Sequence, residues 1–366
     1  MFPPYLISFG ILFGTTVGAG IFALPGLVRA SGFIPFIFLS LGLSSAVIIA
    51  HFLYAKTLLE EKGPRHDLRG LAHKTLGSFW GKIGNLAIGG GLSLSLLVML
   101  LLGANFLVTL FPALGRGAIP LFWLLVSVPL FLKIRGLGRV ETALTACLIL
   151  IVGVVFWNGL ARQGEVALWG DNSFILFGPL LYALAGWTAI PTIARVLGKN
   201  KSKNILWGVL PGTLGAVALY FLFSFGMIRE GAMLSADSVT GLSSIDQGLA
   251  GLLALFGLCA VWTTYIPVAR ELLASFSGDA DSPNELGLVV VGLLPPLLIV
   301  LGATDIIGIL SVAGGVFLSL QYVLLLSVSE RALRLRGWKF YGVSALALLF
   351  LLAALAEIHY LVIRYL

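Results

Sequence analysis

The chain has 366 residues, 59% of them hydrophobic and only 11% charged, with a mean hydropathy of +1.04. A soluble domain carries far more polar surface than this, so the chain reads as one membrane domain over residues 1–366, with lipid as its solvent. The net charge of +7 does not indicate a nucleic-acid partner, because Lys and Arg flank the apolar segments mostly on one side.

Eleven segments approach the length of about 20 apolar residues that a membrane helix needs. They run near 5–28, 33–58, 84–111, 117–132, 140–160, 173–197, 204–228, 247–274, 285–303, 305–328 and 340–363, and are numbered here as spans 1 to 11. No cleavable leader is expected, since span 1 follows no charged segment and no small-residue cleavage site ends it. With the N-terminus placed in the cytoplasm, only Arg29, Arg116, Arg162, Arg229 and Arg364 of the 23 Lys and Arg fall outside. That asymmetry predicts a multi-pass protein of the inner or plasma membrane with a cytoplasmic N-terminus. In the loop 59–83, Leu68, Leu71, Leu76 and Phe79 approach helical spacing, which predicts a short amphipathic helix at the cytoplasmic interface. Cys147 and Cys259 sit in apolar runs and read as small buried hydrophobes.

Two spans carry helix-breaking residues at their middle. Span 1 reads Gly14-Thr15-Thr16-Val17-Gly18-Ala19-Gly20-Ile21-Phe22-Ala23-Leu24-Pro25, and span 6 reads Ala183-Leu184-Ala185-Gly186-Trp187-Thr188-Ala189-Ile190-Pro191. At an offset of 166, residues 19–32 and 185–198 share Ala19/Ala185, Gly20/Gly186, Ala23/Ala189, Pro25/Pro191, Arg29/Arg195 and Gly32/Gly198. Arg29 falls outside and Arg195 inside, so the two copies run in opposite directions. Repeat 1, about 5–160, and repeat 2, about 173–328, would then be inverted five-helix units, with an extra helix at about 340–363.

Irregular backbone survives in hydrocarbon only where it lines a cavity or binds something. A broken helix offers free N–H groups that suit a carboxylate and free carbonyls that suit an ammonium or a small cation. A zwitterion of amino-acid size uses both. Glycines at 18 and 20 would let the backbone approach the ligand, or else serve close helix packing.

The span 1 run, followed by Gly32-Phe33, resembles the first helix of amino-acid permeases of the amino acid–polyamine–organocation superfamily, and within it the hydroxy and aromatic amino acid branch. The resemblance implies the LeuT-type fold, an all-α 5+5 inverted repeat with discontinuous helices 1 and 6 plus an eleventh helix. It also implies that the substrate carboxylate meets Gly18, Ala19 and Gly20. The amine would meet carbonyls near Thr15, Thr16, Ala183 and Ala185, beside Gly186. Tyr182, or alternatively Trp187, would cover the substrate from outside, or either ring simply packs.

On span 8, Ala260, Thr263 and Thr264 share a helix face. Sodium-coupled relatives use such a face with two carbonyls of span 1, here Gly14 and Val17. The alternative is that the hydroxyls bond back to their own turn. The aromatic branch is proton-driven, so Na⁺ and H⁺ both remain open as the coupling ion, and no other cofactor is expected. Span 5 lacks the lysine of some proton-coupled relatives, having only Arg139 at its inner end. Ser93 and Asn105 are candidates for the side-chain pocket. Lys56, Glu60, Glu141, Arg270 and Glu271 lie near the inner interface, where gate ion pairs would sit. Glu357 lies beyond the repeats, with no coupling role expected.

No catalytic set appears, so the chain is not expected to be an enzyme. A channel would need a continuous polar stripe, and none is visible. The breaks lack the Asp, Asn or Met of a metal carrier and the acids of a polyamine carrier. The reading is a secondary transporter importing a neutral, aromatic-type amino acid, with a same-fold carrier of an amine, nucleobase or metal ion as the alternative. The sequence leaves the oligomeric state open.

Overall fold

The computed structural model describes residues 3–60, 68–131, 137–162, 164–198, 204–231, 238–243, 246–277 and 285–365. Lys62, Arg65, Lys133, Arg135, Lys199, Lys201 and Lys203 lie outside the described residues, as do the side chains of Arg139, Glu141 and Arg364. Among the described residues, seven helices are long and apolar enough to cross a bilayer. A bent pair, Pro4–Thr16 with Ala19–Ser31, forms another crossing, and three shorter apolar helices accompany them. The protein is a multi-pass, all-helical membrane protein.

The breaks fall where the sequence places them. Span 1 consists of the helix Pro4–Thr16, a 3₁₀ turn Ala19–Ala23 and the helix Leu24–Ser31, with a bend of 46° at the break. Span 6 consists of a 3₁₀ turn Ser173–Leu176, the helix Phe177–Ala183, a 3₁₀ turn Trp187–Ala189 and the helix Ile190–Leu197. The offset of 166 carries Leu24–Ser31 onto Ile190–Leu197 end for end. Each of these helices starts with a proline in its first turn, Pro25 or Pro191, where a missing N–H costs nothing. Each stops at a glycine with positive φ, Gly32 at 92° or Gly198 at 62°, whose N–H bonds the carbonyl four residues back. Only glycine enters that conformation without strain.

The halves of spans 1 and 6 lie antiparallel. Helix Pro4–Thr16 packs on Ile190–Leu197, and Leu24–Ser31 packs on Ser173–Leu176. Packing partners also recur under a shift of five spans. Span 1 meets span 7 as span 6 meets span 2; span 5 meets span 7 as span 10 meets span 2; span 3 meets span 9 as span 8 meets span 4.

Between lipid-solvated helices apolar burial gives little attraction, so close contact must come from small residues. Gly103 lies under the Phe122 ring, where a Cβ would come within 2.1 Å of Cε1, and Gly257 lies under Phe106 at 2.5 Å. Spans 6 and 10 approach more closely still. A Cβ on Gly314 would sit 1.8 Å from the Gly178 carbonyl oxygen. Gly314 belongs to a π-helical turn, Val312–Leu318, inside span 10, which the sequence pattern does not announce.

Three local expectations need correction. Span 3 begins at Ser78, so Phe79 opens that span, exposed beside Trp80, and does not belong to the amphipathic helix. That helix, Leu68–Leu76, buries Leu68, Leu71 and Ala72 against spans 3 and 10, so protein covers its apolar face. Cys147 is exposed on the outer surface of span 5, because its helical phase turns it away from span 7.

Gly314→Ala is expected to part spans 6 and 10. Overpacking against backbone should cost about 1–3 kcal/mol, read as a lower melting temperature of the detergent-solubilised protein.

Candidate functional site

Between the breaks lies a cavity of about 100 Å³. Span 1 contributes Thr15, Thr16, Gly18, Ala19 and Gly20, and span 6 contributes Tyr182, Ala183, Ala185, Trp187 and Thr188. Spans 3, 8 and 10 close the walls with Gly91, Leu92, Ser95 and Met99, with Thr264 and Val268, and with Leu318 and Gln321. The residues expected at the substrate thus converge on one space, except Gly186.

The backbone at the breaks is only partly paired. Val17 N–H donates to Phe13 O (2.9 Å) and Gly18 N–H to Thr16 O (2.9 Å). Ala19 and Gly20 begin a 3₁₀ turn, so their N–H groups are the orphan donors of a helix start. In span 6, Leu184 and Ala185 N–H return to Leu180 and Tyr182, and the next turn starts at Gly186 and Trp187. Orphan donors of span 1 and the carbonyl end of the span 6 half-helix therefore border the same cavity, an arrangement suited to a zwitterion.

A residue that the sequence reading missed ties the two breaks together. Tyr220 of span 7, only 1% exposed, shares its single hydroxyl proton between Thr16 O at 2.8 Å and Ala183 O at 2.6 Å. Its signal was faint, a lone tyrosine in an apolar run. A second link is Gln321, which accepts from Trp187 Nε1 (2.8 Å) and donates to Ala87 O (2.9 Å), joining spans 6, 10 and 3. A buried amide in a membrane span was legible as a functional signal. Trp187 therefore serves as a wall anchored from behind, while Tyr182 is half-buried at the cavity edge.

The three glycines differ in what surrounds them. A Cβ on Gly18 would meet only Thr15 O, at 3.9 Å, so this position faces open cavity. A Cβ on Gly20 would lie 2.9 Å from Ala183 Cα and Cβ, so Gly20 is where the two breaks touch. A Cβ on Gly186 would meet Thr16 Oγ1 at 2.6 Å and Leu12 Cδ1 at 2.7 Å, which makes it a packing contact against span 1 outside the cavity wall. Ser93 and Asn105 are not among the lining residues either. Helical phase brings Gly91, Ser95 and Met99 inward instead, and Ser93 donates to Gly89 O.

Of the proposed ion ligands, the two threonines of span 8 are engaged with their own helix. Thr263 Oγ1 donates to Cys259 O and Ala260 O, and Thr264 Oγ1 to Ala260 O, as threonines in membrane helices do. Thr264 faces the cavity, Gly14 faces the adjoining vestibule, and neither Val17 nor Thr263 lines either space.

The vestibule, of about 800 Å³, shares Thr15, Leu92, Thr188, Thr264 and Val268 with the cavity and continues past Leu6, Ile7, Thr192, Pro267 and Glu271. On the opposite side Phe22 packs edge-on against Phe106 and Phe223, with centroids 5.0 and 6.1 Å away, and all three are fully buried. One path to the site is open and the other is packed shut. At the rim of the open path Arg69 of the short helix pairs with Glu271 at 3.2 Å. Lys56 and Glu60 pair on their own helix at 3.7 Å.

A family model described as the tryptophan/tyrosine permease family matches residues 2–359. None of the curated proteins matches the chain in sequence. Among solved structures it is similar to the inward-facing conformation of Mhp1, with a TM-score of 0.67 and 16% identity over 98% of this chain and 90% of that one. Mhp1, a nucleobase-cation-symport-1 family transporter, in a closed conformation with bromovinylhydantoin bound gives 0.62 at 16% identity, over 98% and 92%. A manganese transporter of Eremococcus coleocola gives 0.67 at 14% identity, over 97% and 86%. These likenesses establish a shared fold, the LeuT type.

Gly20→Ala should lower stability by about 1–3 kcal/mol, whereas Gly18→Ala should melt like the native protein. Thermal unfolding in detergent distinguishes them. Tyr220→Phe strands two buried carbonyls and should cost about 1–3 kcal/mol in the same assay.

Proposed function

As a member of the tryptophan/tyrosine permease family the chain is a secondary transporter of aromatic amino acids, and we propose that it imports one by alternating access, holding the zwitterion between the two breaks. The observation that carries this reading is the pair of interrupted spans whose unpaired peptide groups border one cavity. In this reading the carboxylate lies on the open amides of Ala19 and Gly20 beside Gly18. The amine lies near the carbonyls of Thr15, Thr16, Ala183 and Ala185, and the side chain extends toward Tyr182, Trp187 and the span 3 wall.

The same reading places the protein in the plasma or inner membrane with its N-terminus in the cytoplasm, so that the open vestibule faces inward. It divides the chain into two inverted five-span halves, about 5–160 and 173–328, followed by span 11. Transport is coupled to a cation gradient. For sodium the ligand set is Gly14, Val17, Ala260, Thr263 and Thr264. A threonine hydroxyl that donates to its own helix keeps its oxygen lone pairs, so the back-bonding of Thr263 and Thr264 is compatible with a cation shell that assembles elsewhere in the cycle. For a proton, a titratable group is needed instead. A metal cargo finds little support, since Met99 is a soft ligand without a carboxylate beside it on the cavity wall.

Purified protein in liposomes should accumulate labelled tryptophan or tyrosine when a cation gradient is imposed. Gly18→Ala, which narrows the cavity without a clash, should weaken substrate binding about tenfold, the equivalent of about 1.4 kcal/mol, and unchanged uptake kinetics would rule out the assigned carboxylate site. Thr264→Ala should abolish any sodium stimulation. Native uptake that ignores sodium would remove the sodium reading altogether.

A further inference from the structure

Span 11 is the most lipid-exposed of the long apolar helices, with 17% of its apolar window buried, against 72% for span 10. Glu357 on this span is nonetheless only 1% exposed. Its carboxyl lies directly on Gly315, where a Cβ would come within 2.4 Å of Glu357 Cγ and 2.8 Å of its Oε2. Gly315 belongs to the π turn Val312–Leu318. The other flank of that turn touches span 6. Gly178 backs onto Ser311 and onto the Gly315 N–H, and Gly314 meets the Gly178 carbonyl and the Tyr182 N–H. Tyr182 lines the cavity, as do Leu318 and Gln321 further along span 10. One turn of irregular helix therefore touches Glu357 on one side and the span carrying the second break on the other.

Among the described residues no cation pairs with Glu357. Its Oε2 is buried, and its polar neighbour is the uncharged hydroxyl of Ser311 on span 10, which brings no positive charge. Tyr322 of span 10 stacks on Phe350, and Glu330 accepts from Ser344 at the opposite end of span 11. Span 2 contributes only apolar and hydroxyl side chains to the groove beside span 11, among them Phe38, Leu39 and Ser45. At the start of span 6, Asn172 donates to the Tyr360 hydroxyl, and on span 11 itself His359 is exposed. The ion pairs among the described residues involve other groups. A carboxylate in apolar surroundings without a cation is strongly disfavoured, and a neutral carboxylic acid is not.

We propose that Glu357 is a proton-binding site that controls how span 11 packs on the π turn of span 10 and, through that turn, the conformation of the transport site. The packed arrangement holds the neutral acid. When spans 10 and 11 part, water reaches the carboxyl, its O–H bond breaks, the proton passes to water, and a hydrated carboxylate remains. Protonation and the open-vestibule arrangement then favour each other reciprocally. The effect on uptake rests on the transporter reading above, whereas the site itself does not.

The test uses the full chain in liposomes, with Cys147 and Cys259 replaced by serine and Thr192→Cys as a reporter in the vestibule. Labelling by a water-soluble maleimide, divided at each pH by that of the same thiol in the SDS-unfolded protein to remove thiol ionisation, should fall from acid to alkaline pH when Glu357 is present. It should stay high and lose its pH dependence in both Glu357→Gln and Glu357→Leu. If that ratio still varies with pH in both variants, the proposal is overturned. Infrared difference spectra give a second reading that needs no labelling. The carbonyl band of a protonated carboxylic acid should be present in the native protein and absent in Glu357→Gln, and an unchanged band overturns the assignment. In uptake, Glu357→Gln should keep substrate exchange and lose stimulation by a proton gradient. If the native protein moved no aromatic amino acid the transport reading would fail, while the labelling result would still decide the case of Glu357.

Discussion

A peptide group inside a bilayer must find a partner, and this protein leaves several without one at mid-membrane. The cost is contained by the hydroxyl of Tyr220. It sits between the carbonyls of Thr16 and Ala183, the ends of the first half-helix in each broken span. One proton serves two acceptors, so each carbonyl keeps a lone pair free toward the cavity. The same bond fixes the two breaks at one depth and one separation. A site assembled from two unrelated gaps would be loose, whereas this one is pinned from behind by a residue outside both spans.

Glycine does two different jobs in the breaks, and only coordinates separate them. Gly20 and Gly186 are identical partners across the offset of 166, yet both are contacts between broken spans: Gly20 meets Ala183, and Gly186 meets Leu12 and Thr16. Gly20 lets the two breaks touch, and Gly186 makes room for side chains of the first half-helix of span 1. Gly18 has no counterpart in that pattern and faces the open space. The shared glycines therefore support architecture, and the unshared one leaves room for a ligand.

Much of this was legible in the sequence, because membrane solvation imposes strong rules. Apolar length gave the eleven spans, and helix breakers in otherwise apolar runs located both interruptions near the residues where the helices stop. The prolines and glycines at 25, 32, 191 and 198 marked the ends of matching helices. What stayed hidden depended on rotation about helix axes. Ser93 and Ser95 are equally plausible in the sequence, and only the angular phase of span 3 turns Ser95 inward. The π turn was hidden for a related reason, since it changes that phase within span 10 without any proline. Glu357 was visible as a charge in a lipid-facing helix, but the glycine that receives it lies more than 40 residues away.

The direction in which the protein opens follows from where its contacts are hard and where they are soft. The closed side is held by interlocking rings, Phe22 with Phe106 and Phe223, which can slide and repack at modest cost. The contacts around the breaks are backbone against backbone: Gly20 on Ala183 and Gly178 on Gly314. Such contacts have almost no compliance, because interiors are packed to near crystal density. They act as pivots, and motion must occur about them. An opening to the opposite side would then separate the phenylalanine cluster while the glycine contacts hold. Span 10 would have to turn about Gly314, and any group resting on its π turn would be carried along.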